Sequence, residues 1–256
     1  MTDQIKISFA AGSDRGKVRE QNQDSVLISK FEHSDVILLQ VADGVGGYAG
    51  GEVASKLTVE VMQASVAKAI LLANSGAGYA SDWLEATLQH AIKEANLQLI
   101  KQQSLLADLA DMATTIVAML IHNNSLVIGH LGDSRCYQLN NNHLTQLTED
   151  HTALQKLLNE GKINQQEFEV LPMHHVISQA VGLIKTPEIK LHKMSLKQHS
   201  CYLLCSDGLT NCVSDAQIQH ILNKKNSLEN LVDELIVSAN DNGGADNISV
   251  VIMKSN

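Results

Sequence analysis

The sequence is poor in aromatic residues, in prolines and in basic charge, and each shortage excludes something. Aromatic residues make up only 3% of the chain, so there is no row of rings on which nucleic-acid bases would stack. The 19 basic residues against 28 acidic ones leave a net charge of −9, the wrong sign for a groove that binds phosphate backbones. With two prolines and no Pro- or Ser-rich linker, we expect one continuous domain over residues 1–256.

The cysteines and the hydropathy of the chain indicate where in the cell the protein is expected to act. The four cysteines form no CxxC pair, and three of them lie in or beside apolar runs, which is typical of buried free thiols in a reducing environment. The first residues lack the basic start and apolar stretch of a signal peptide. No run of about 18 apolar residues predicts a membrane span. We therefore expect a soluble, cytoplasmic protein that binds neither membrane nor nucleic acid, and we expect a monomer.

The hydrophobic pattern changes between strand and helix in blocks. Alternation or short apolar runs predict three early strands, further strands after residue 113 and one at each of CYLLCSD and NISVVIMK. Apolar residues three and four apart predict helices over 52–72, 82–103, 215–222 and 228–239, the second opened by a capping box of Asp82 and Glu85. Residues 148–182 combine short helical stretches with polar breaks and are expected to leave the sheet. Helices set between antiparallel strands predict an α+β layered sandwich.

Five aspartates lie next to apolar strand segments, and their common position is the main functional signal. Each one alone is explained by ordinary turn chemistry, because Asp beside Gly is frequent at strand ends. Brought together, five carboxylates would repel one another unless a cation neutralised them. Oxygen ligands without a His or Cys partner favour Mg²⁺, Mn²⁺ or Ca²⁺ over Zn²⁺. The set consists of Asp24, Asp43, Asp133, Asp207 and Asp246.

The strings that contain these aspartates resemble the motifs of a known family. RxxNQD, DGVGG, GDSR, SDGL and GADNIS occur in that order, starting at residues 19, 43, 132, 206 and 244, with a Thr114-Thr115 pair and TEDH between them. They are similar to the motifs of the protein phosphatase 2C family, the metal-dependent PPM phosphatases, in its compact bacterial form. The resemblance runs from about residue 6 to residue 254.

This resemblance implies a fold and an activity. The fold would be a four-layer αββα sandwich, two antiparallel β-sheets flanked by helices. The activity would be hydrolysis of phosphoserine and phosphothreonine in proteins at a dinuclear Mn²⁺ or Mg²⁺ centre. Residues 150–182 would form the family's variable flap beside the site, and a bacterial Ser/Thr kinase would be the opposing enzyme.

Site roles carry over from the resemblance residue by residue. Asp43 would bridge the two tightly bound ions and so belong to the catalytic group, and Asp207 and Asp246 would complete one ion. The Gly44 carbonyl would help to hold the other. Asp24 would lie among the direct ligands or just outside them, bound through water. Asp133 and Asp207 would hold a third, weaker ion. Arg19 would bind the substrate phosphate with its planar fork.

Two positions depart from the family pattern. Gln23 stands before the first Asp where many relatives have Glu, which predicts looser binding of one ion. Val45 follows Gly44 directly, and Tyr48 stands where bacterial relatives often have His, so the resemblance names no side-chain general acid.

Other phosphatase chemistries lack their residues here. There is no Cys followed by Arg six positions later, no GNHE string and no DxDxT string. His174 and His175 suggest a ligand pair, although a packed or solvated loop explains them better. Two alternatives stay open: a non-catalytic module on the same fold that binds phosphorylated partners, and a two-metal phosphoesterase acting on small phosphate esters such as nucleotides.

Overall fold

The computed structural model describes residues 5–45, 50–173 and 176–256. The described strands are β1 (Ile7–Asp14), β2 (Asp24–Lys30), β3 (Val36–Val45), β4 (Ala113–Thr114), β5 (Ile116–His122), β6 (Ser125–Leu131), β7 (Arg135–Asn140), β8 (His143–Gln146), β9 (Lys190–Ser195), β10 (Cys201–Cys205) and β11 (Ile248–Ser255). The described helices are α1 (Gly50–Leu72), α2 (Trp83–Leu105), α3 (Ala153–Asn159), α4 (Gln165–Val170), α5 (Asp207–Thr210), α6 (Asp215–Leu222) and α7 (Leu228–Asp241).

The strands form two antiparallel sheets. The first sheet has the order β1-β11-β10-β7-β8, and the second has the order β2-β3-β5-β6-β9, with β4 added to β3. Helices α1 and α2 pack on the second sheet, and α6 and α7 pack together with α7 against the first. The expected four-layer αββα sandwich of the α+β class is therefore confirmed.

Successive side chains of β5 enter two different hydrophobic cores, one on each face of the second sheet. In β5, Ile116, Ala118 and Leu120 face the core under α1 and α2. The intervening Val117 and Met119 face the core between the two sheets. Because successive side chains of a strand point to opposite faces, a strand that is covered on both sides appears in the sequence as one continuous apolar run.

Helix α1 is the longest apolar element. Together with the helical turn that follows it, over Gly50–Ala77, it is long and apolar enough by composition to cross a membrane, and it is the one such helix in the described part of the chain. In the structure, Met62, Val66 and Ile70 belong to the core between α1, α2 and the second sheet. Of the most apolar stretch of this helix, 33% is buried, so packing accounts for part of its apolar composition.

Two local predictions were wrong. The expected capping box of Asp82 and Glu85 does not form, since Asp82 makes no side-chain cap hydrogen bond. Glu85 instead pairs with Lys193 at 2.7 Å. Strand β9, which contains Lys193, was not predicted, because most of its side chains are exposed and it lies at the edge of its sheet, so no apolar pattern marks it.

Candidate metal centre

Asp24 and Asp43 are brought together by the pairing of β2 with β3. Their Cα atoms are partners in the antiparallel register, so both side chains lie on the same face of neighbouring strands. Asp43 was expected at the end of its strand but lies inside it, because β3 continues to Val45 and pairs there with β4. Asp24 is the first residue of β2, as expected from its place before an apolar run.

Asp207 and Asp246 come from the first sheet. Asp207 follows β10 as the first residue of the short helix α5, and Asp246 precedes β11, the strand paired with β10. The two turns are packed closely: a Cβ on Gly208 would lie 1.9 Å from the carbonyl oxygen of Asn247. Glycine at 208 is therefore needed for α5 to begin this close to the segment that carries Asp246.

Asp133 lies in the turn where the chain passes from β6 in the second sheet to β7 in the first. The preceding Gly132 has φ of 108°, in the region that favours glycine, and a Cβ there would be 2.6 Å from Thr115 Cγ2. Asp133 is buried, and its carboxylate acts electrostatically on Asp43. Asp133, in the connection between the two sheets, therefore lies close enough to Asp43 for their charges to interact.

The electrostatics show that the five carboxylates converge. Burial raises the pKa of Asp43 well above its usual value, and the negative charges of Asp24, Asp207 and Asp133 raise it further. Burial also raises the pKa of Asp24 to about 7, with Asp207 and Asp246 adding to the effect. Asp133 is likewise raised to a pKa of about 7 by burial and by Asp207. Such mutual repulsion is the condition that a bound cation relieves.

The chemistry of the donors fits hard divalent cations. Asp24 Oδ1 and Asp207 Oδ1 are buried and accept no hydrogen bond from any described residue. As the side chains stand, no group of three or more His, Cys, Asp or Glu residues within 5–45, 50–173 and 176–256 is arranged to hold an ion. The all-oxygen set and its unmatched buried oxygens suit Mn²⁺ or Mg²⁺, and the side chains must adjust to bind them.

Arg19 contacts the aspartate set directly. Its Nη2 donates a hydrogen bond of 2.7 Å to Asp246 Oδ2. Asp43 and Asp207 also raise the pKa of the Arg19 guanidinium, after the larger effect of Asp246. Arg19 was expected to reach a phosphate apart from the metal ligands, and the structure instead pairs it with one of them.

Gly44 lies in β3 opposite Thr114, and its amide donates to the Gln23 carbonyl. The expectation was that glycine here clears space for its carbonyl to face an ion. The structure shows another reason for glycine, since a Cβ on Gly44 would lie 2.1 Å from the Gly51 carbonyl oxygen at the start of α1. The role of the Gly44 carbonyl as a ligand stays a prediction.

Hydroxyl groups around the aspartates were not assigned roles from the sequence. Thr115 Oγ1 accepts a hydrogen bond of 3.0 Å from the Asp43 amide and contacts Ser134 Oγ at 2.7 Å. Ser206 Oγ donates to Asp24 Oδ2 at 2.8 Å. Their positions in the sequence could have indicated these roles, because each hydroxyl lies inside or beside one of the strings that resemble the family motifs.

Asn247 organises the segment that carries Arg19. Its Oδ1 accepts from the Gln23 amide, and its Nδ2 donates to the carbonyls of Arg15 and Gln21. One side chain next to Asp246 therefore ties the loop before β2 to the start of β11. This role of Asn247 was not predicted from the sequence, although Asn247 is part of the GADNIS string.

The segment expected to form a flap borders the site. A cavity of about 300 Å³ is lined by Asp133 and Asp207 on one side and by Thr152, Gln155 and Phe168 on the other. Phe168 belongs to α4, and Thr152 precedes α3. The segment thus forms one wall of the space next to the carboxylates. Tyr48, the glycines at 46 and 47, and the pair His174 and His175 lie outside the described residues.

The convergent carboxylates and the two stacked sheets define a metal-centred αββα protein. A family model for protein phosphatase 2C matches residues 11–250, and the chain belongs to this family. The serine/threonine phosphatase Stp of Listeria welshimeri is 34% identical over 244 residues, which cover 95% of this chain and 94% of the relative.

Solved structures agree with this assignment. The serine/threonine phosphatase PstP of Mycobacterium tuberculosis is 36% identical and superposes with a TM-score of 0.83, covering 98% of both chains. A structure of the PstP catalytic domain in complex with two manganese ions is 35% identical, has a TM-score of 0.79 and again covers 98% of both chains.

Proposed function

We propose that this chain is a metal-dependent serine/threonine protein phosphatase that hydrolyses phosphoserine and phosphothreonine in protein substrates. The observation that carries the proposal is the convergence of five aspartates, with Arg19 on their rim, at one end of a protein phosphatase 2C sandwich. The manganese ions of the similar PstP domain support two Mn²⁺ or Mg²⁺ ions here.

The proposed ligands are those that the resemblance to the family implies. Asp43 is the central residue, since the charges of three other aspartates act on it. Asp207 and Asp246 would complete one ion, the Gly44 carbonyl would help to hold the other, and Asp133 with Asp207 would hold a third, weaker ion. Asp24 would bind directly or through water. When bound, such cations lower the pKa of a coordinated water and neutralise the phosphoryl oxygens during in-line attack.

The other side chains of the site position the aspartates and the substrate. Thr115 fixes the backbone of Asp43 through its hydroxyl, and Ser206 holds one oxygen of Asp24 so that the other stays directed into the site. Arg19 exchanges its bond to Asp246 for two oxygens of the substrate phosphate, which its planar fork matches. The wall formed by Gln155 and Phe168 faces the substrate next to the phosphorylated residue.

The biological setting is also a proposal. The substrates are phosphorylated proteins, and the enzyme opposes a Ser/Thr kinase in signalling. The four free cysteines agree with a reducing cytoplasm, and we propose that the enzyme acts there as a monomer.

A metal-controlled activity panel tests the function. Purified protein is stripped with EDTA and assayed on a phosphothreonine peptide, para-nitrophenyl phosphate and a set of nucleotides, with and without added Mn²⁺. We expect Mn²⁺-dependent turnover of the peptide and of the small ester and far less of nucleotides. Asp43→Asn should be inactive, whereas Asp233→Asn, at an exposed position of α7, should match the wild type.

Each other outcome identifies a different function. Phosphopeptide binding without turnover in the Mn²⁺-loaded wild type would indicate a binding module on this fold. Preferential turnover of nucleotides would indicate a small-ester phosphoesterase, and full activity after metal stripping would refute the metal centre.

A further inference from the structure

A cavity lies at the opposite end of the first sheet from the aspartates. It has a volume of about 990 Å³ and is bordered by the end of β11, the start of β10, the β7–β8 turn and the loop between α6 and α7. The aspartates lie at the other ends of β10 and β11. Since β11 has eight residues and a strand rises roughly 3.3 Å per residue, the two sites are about 26 Å apart.

This distal groove is basic in an acidic protein. Lys224, Lys225 and Lys254 line it, together with His199. Lys224 is paired with Glu234, whereas Lys225 is exposed and Lys254 half-buried, and neither makes an ion pair with a described residue. None of the described lining residues is Asp or Glu. The described lining of this groove is therefore basic, although the chain as a whole has a net charge of −9.

Neutral donors and a helix start add to the positive potential. The side chains of Asn141, Asn142 and Asn223 border the groove. Ser227, the N-cap of the 14-residue helix α7, also lines it, so the positive end of the helix dipole faces this space. The backbones of two further lysines contact lining residues: the Lys6 amide donates to the Asn256 carbonyl, and the Lys197 carbonyl accepts from Ser255 Oγ.

We propose that this distal groove docks an acidic polypeptide segment of a protein partner, and that the partner is a phosphoprotein substrate held there while its phosphorylated residue reaches the aspartates. Only the identification of the partner as a substrate rests on the proposed function. An acidic peptide fits better than a nucleic acid, because no Phe, Tyr or Trp among the described residues lines the groove for base stacking and the overall charge repels a long polyanion.

Docking far from the reaction would select among substrates without altering the chemistry. A tail bound in the distal groove raises the effective concentration of a tethered phosphorylated residue at the aspartates, which lowers KM and leaves kcat unchanged. A substrate too short to span both sites gains nothing. The proposal therefore separates long acidic substrates from small esters.

Binding alone is tested first, independently of catalysis. A fluorescein-labelled peptide of ten glutamates without phosphate is titrated with the wild type at low salt, and anisotropy reports binding. We expect binding that weakens as ionic strength rises and that falls at least about tenfold in Lys225→Glu/Lys254→Glu, because two attractive charges become repulsive. Lys93→Glu/Lys101→Glu, a matched reversal at two exposed lysines of α2, should bind as the wild type does.

Kinetics then test the link to substrate choice. A phosphothreonine peptide is compared with the same peptide extended by about 40 Gly and Ser residues, which span roughly 35 Å, and a glutamate tail. We expect the tail to lower KM at least about threefold for the wild type and the α2 control variant, with equal kcat. The groove variant should lose this gain and keep its kcat/KM for para-nitrophenyl phosphate.

Several results would overturn the docking proposal. These are equal binding of the glutamate peptide to wild type and groove variant, tighter binding of a single-stranded oligonucleotide than of the peptide, or a KM gain that survives the reversals. If Lys254→Glu lowers the thermal midpoint, Lys225→Glu alone, at an exposed loop position, is used with the same expectations. Loss of all activity together with intact peptide binding would refute the proposed function and leave the groove assignment standing.

Discussion

The guanidinium of Arg19 donates a hydrogen bond of 2.7 Å to Asp246 Oδ2, joining residues 227 positions apart in the chain. Both side chains are partly exposed, at 54% and 32%, so the pair stabilises the fold little and its position at the aspartates matters more. Asp246 cannot use the same oxygen fully for Arg19 and for a metal ion. We therefore expect binding of a cation at Asp246 and release of Arg19 toward a phosphate to be coupled.

Arg19→Ala should lower kcat/KM at least about tenfold, since each charge-assisted hydrogen bond to the phosphate is worth roughly 1.5–3 kcal/mol. Metal binding should be unchanged or tighter, because a positive charge and a competitor for Asp246 are both removed. Steady-state kinetics and calorimetric Mn²⁺ titration measure the two effects. Arg19→Lys should recover part of the loss. A kcat/KM within about twofold of the wild type would make Arg19 an ordinary surface residue.

Asp43→Asn and Asp246→Asn should each nearly abolish turnover while the fold persists, because each removes a ligand charge. Without metal, Asp43→Asn should be more stable than the wild type at pH 8, by on the order of 1 kcal/mol. In the wild type, burial and neighbouring carboxylates raise the pKa of Asp24 to about 7 and that of Asp43 well above its usual value. A raised pKa favours the folded state at low pH, and that stability is lost as pH rises through the folded value.

Thermal unfolding in EDTA from pH 5 to pH 9 measures this dependence. The wild-type midpoint should fall as pH rises, and the fall should be smaller in Asp43→Asn and reversed by Mn²⁺. Identical pH profiles for the two proteins would mean that the carboxylates do not interact.

Asp133→Ala should keep two tightly bound ions and lose a weaker third. Asp133 lies between the sheets and interacts with Asp207, whereas Asp43, Asp207 and Asp246 remain for the tighter pair. We expect most activity toward phosphopeptides to disappear, since the cavity beside Asp133 faces α4. Calorimetric metal titration and peptide kinetics decide the outcome. Unchanged weak binding together with unchanged activity would refute the third site.

His151 should make the protein acid-sensitive. Burial lowers the pKa of His151 to about 4. The charges of His130 and Lys190 lower this pKa further, and that of Glu149 opposes the effect. The His130 ring is stacked on His151, with 4.4 Å between the ring centroids. Because this pKa is lowered on folding, the contribution of neutral His151 to the free energy of unfolding is fully present above pH 6.5 and is lost as pH falls through about 4. The loss should be on the order of 1–3 kcal/mol.

Urea unfolding at pH 7.5 and pH 4.5 measures it. His151 Nδ1 accepts a hydrogen bond of 3.3 Å from the Gly132 amide, and His151→Asn keeps an acceptor for it. This variant should lose less stability between pH 7.5 and pH 4.5 than the wild type. His143→Asn, at an exposed position, should retain the wild-type difference. An unchanged acid loss in His151→Asn would assign the effect to other groups.

The sequence by itself determined the layered fold and the five aspartates. Strands covered on both faces, such as β5 and β11, must consist of nearly continuous apolar residues, so their burial is visible in the sequence. The aspartates were recognisable because each stands beside such a run. The ordered set of short strings around them also indicated the family.

Only the tertiary structure decided what depends on partners distant in the chain. Glu85 joins Lys193 rather than the start of its own helix, and β9 forms at a sheet edge because β6 offers hydrogen bonds, not because its residues are apolar. The Arg19–Asp246 pair and the basic groove around Lys225 and Lys254 arise in the same way. Periodicity reports whether a residue is buried. It does not report which charge or backbone group from a distant segment the residue will meet, because chain folding alone brings those groups together.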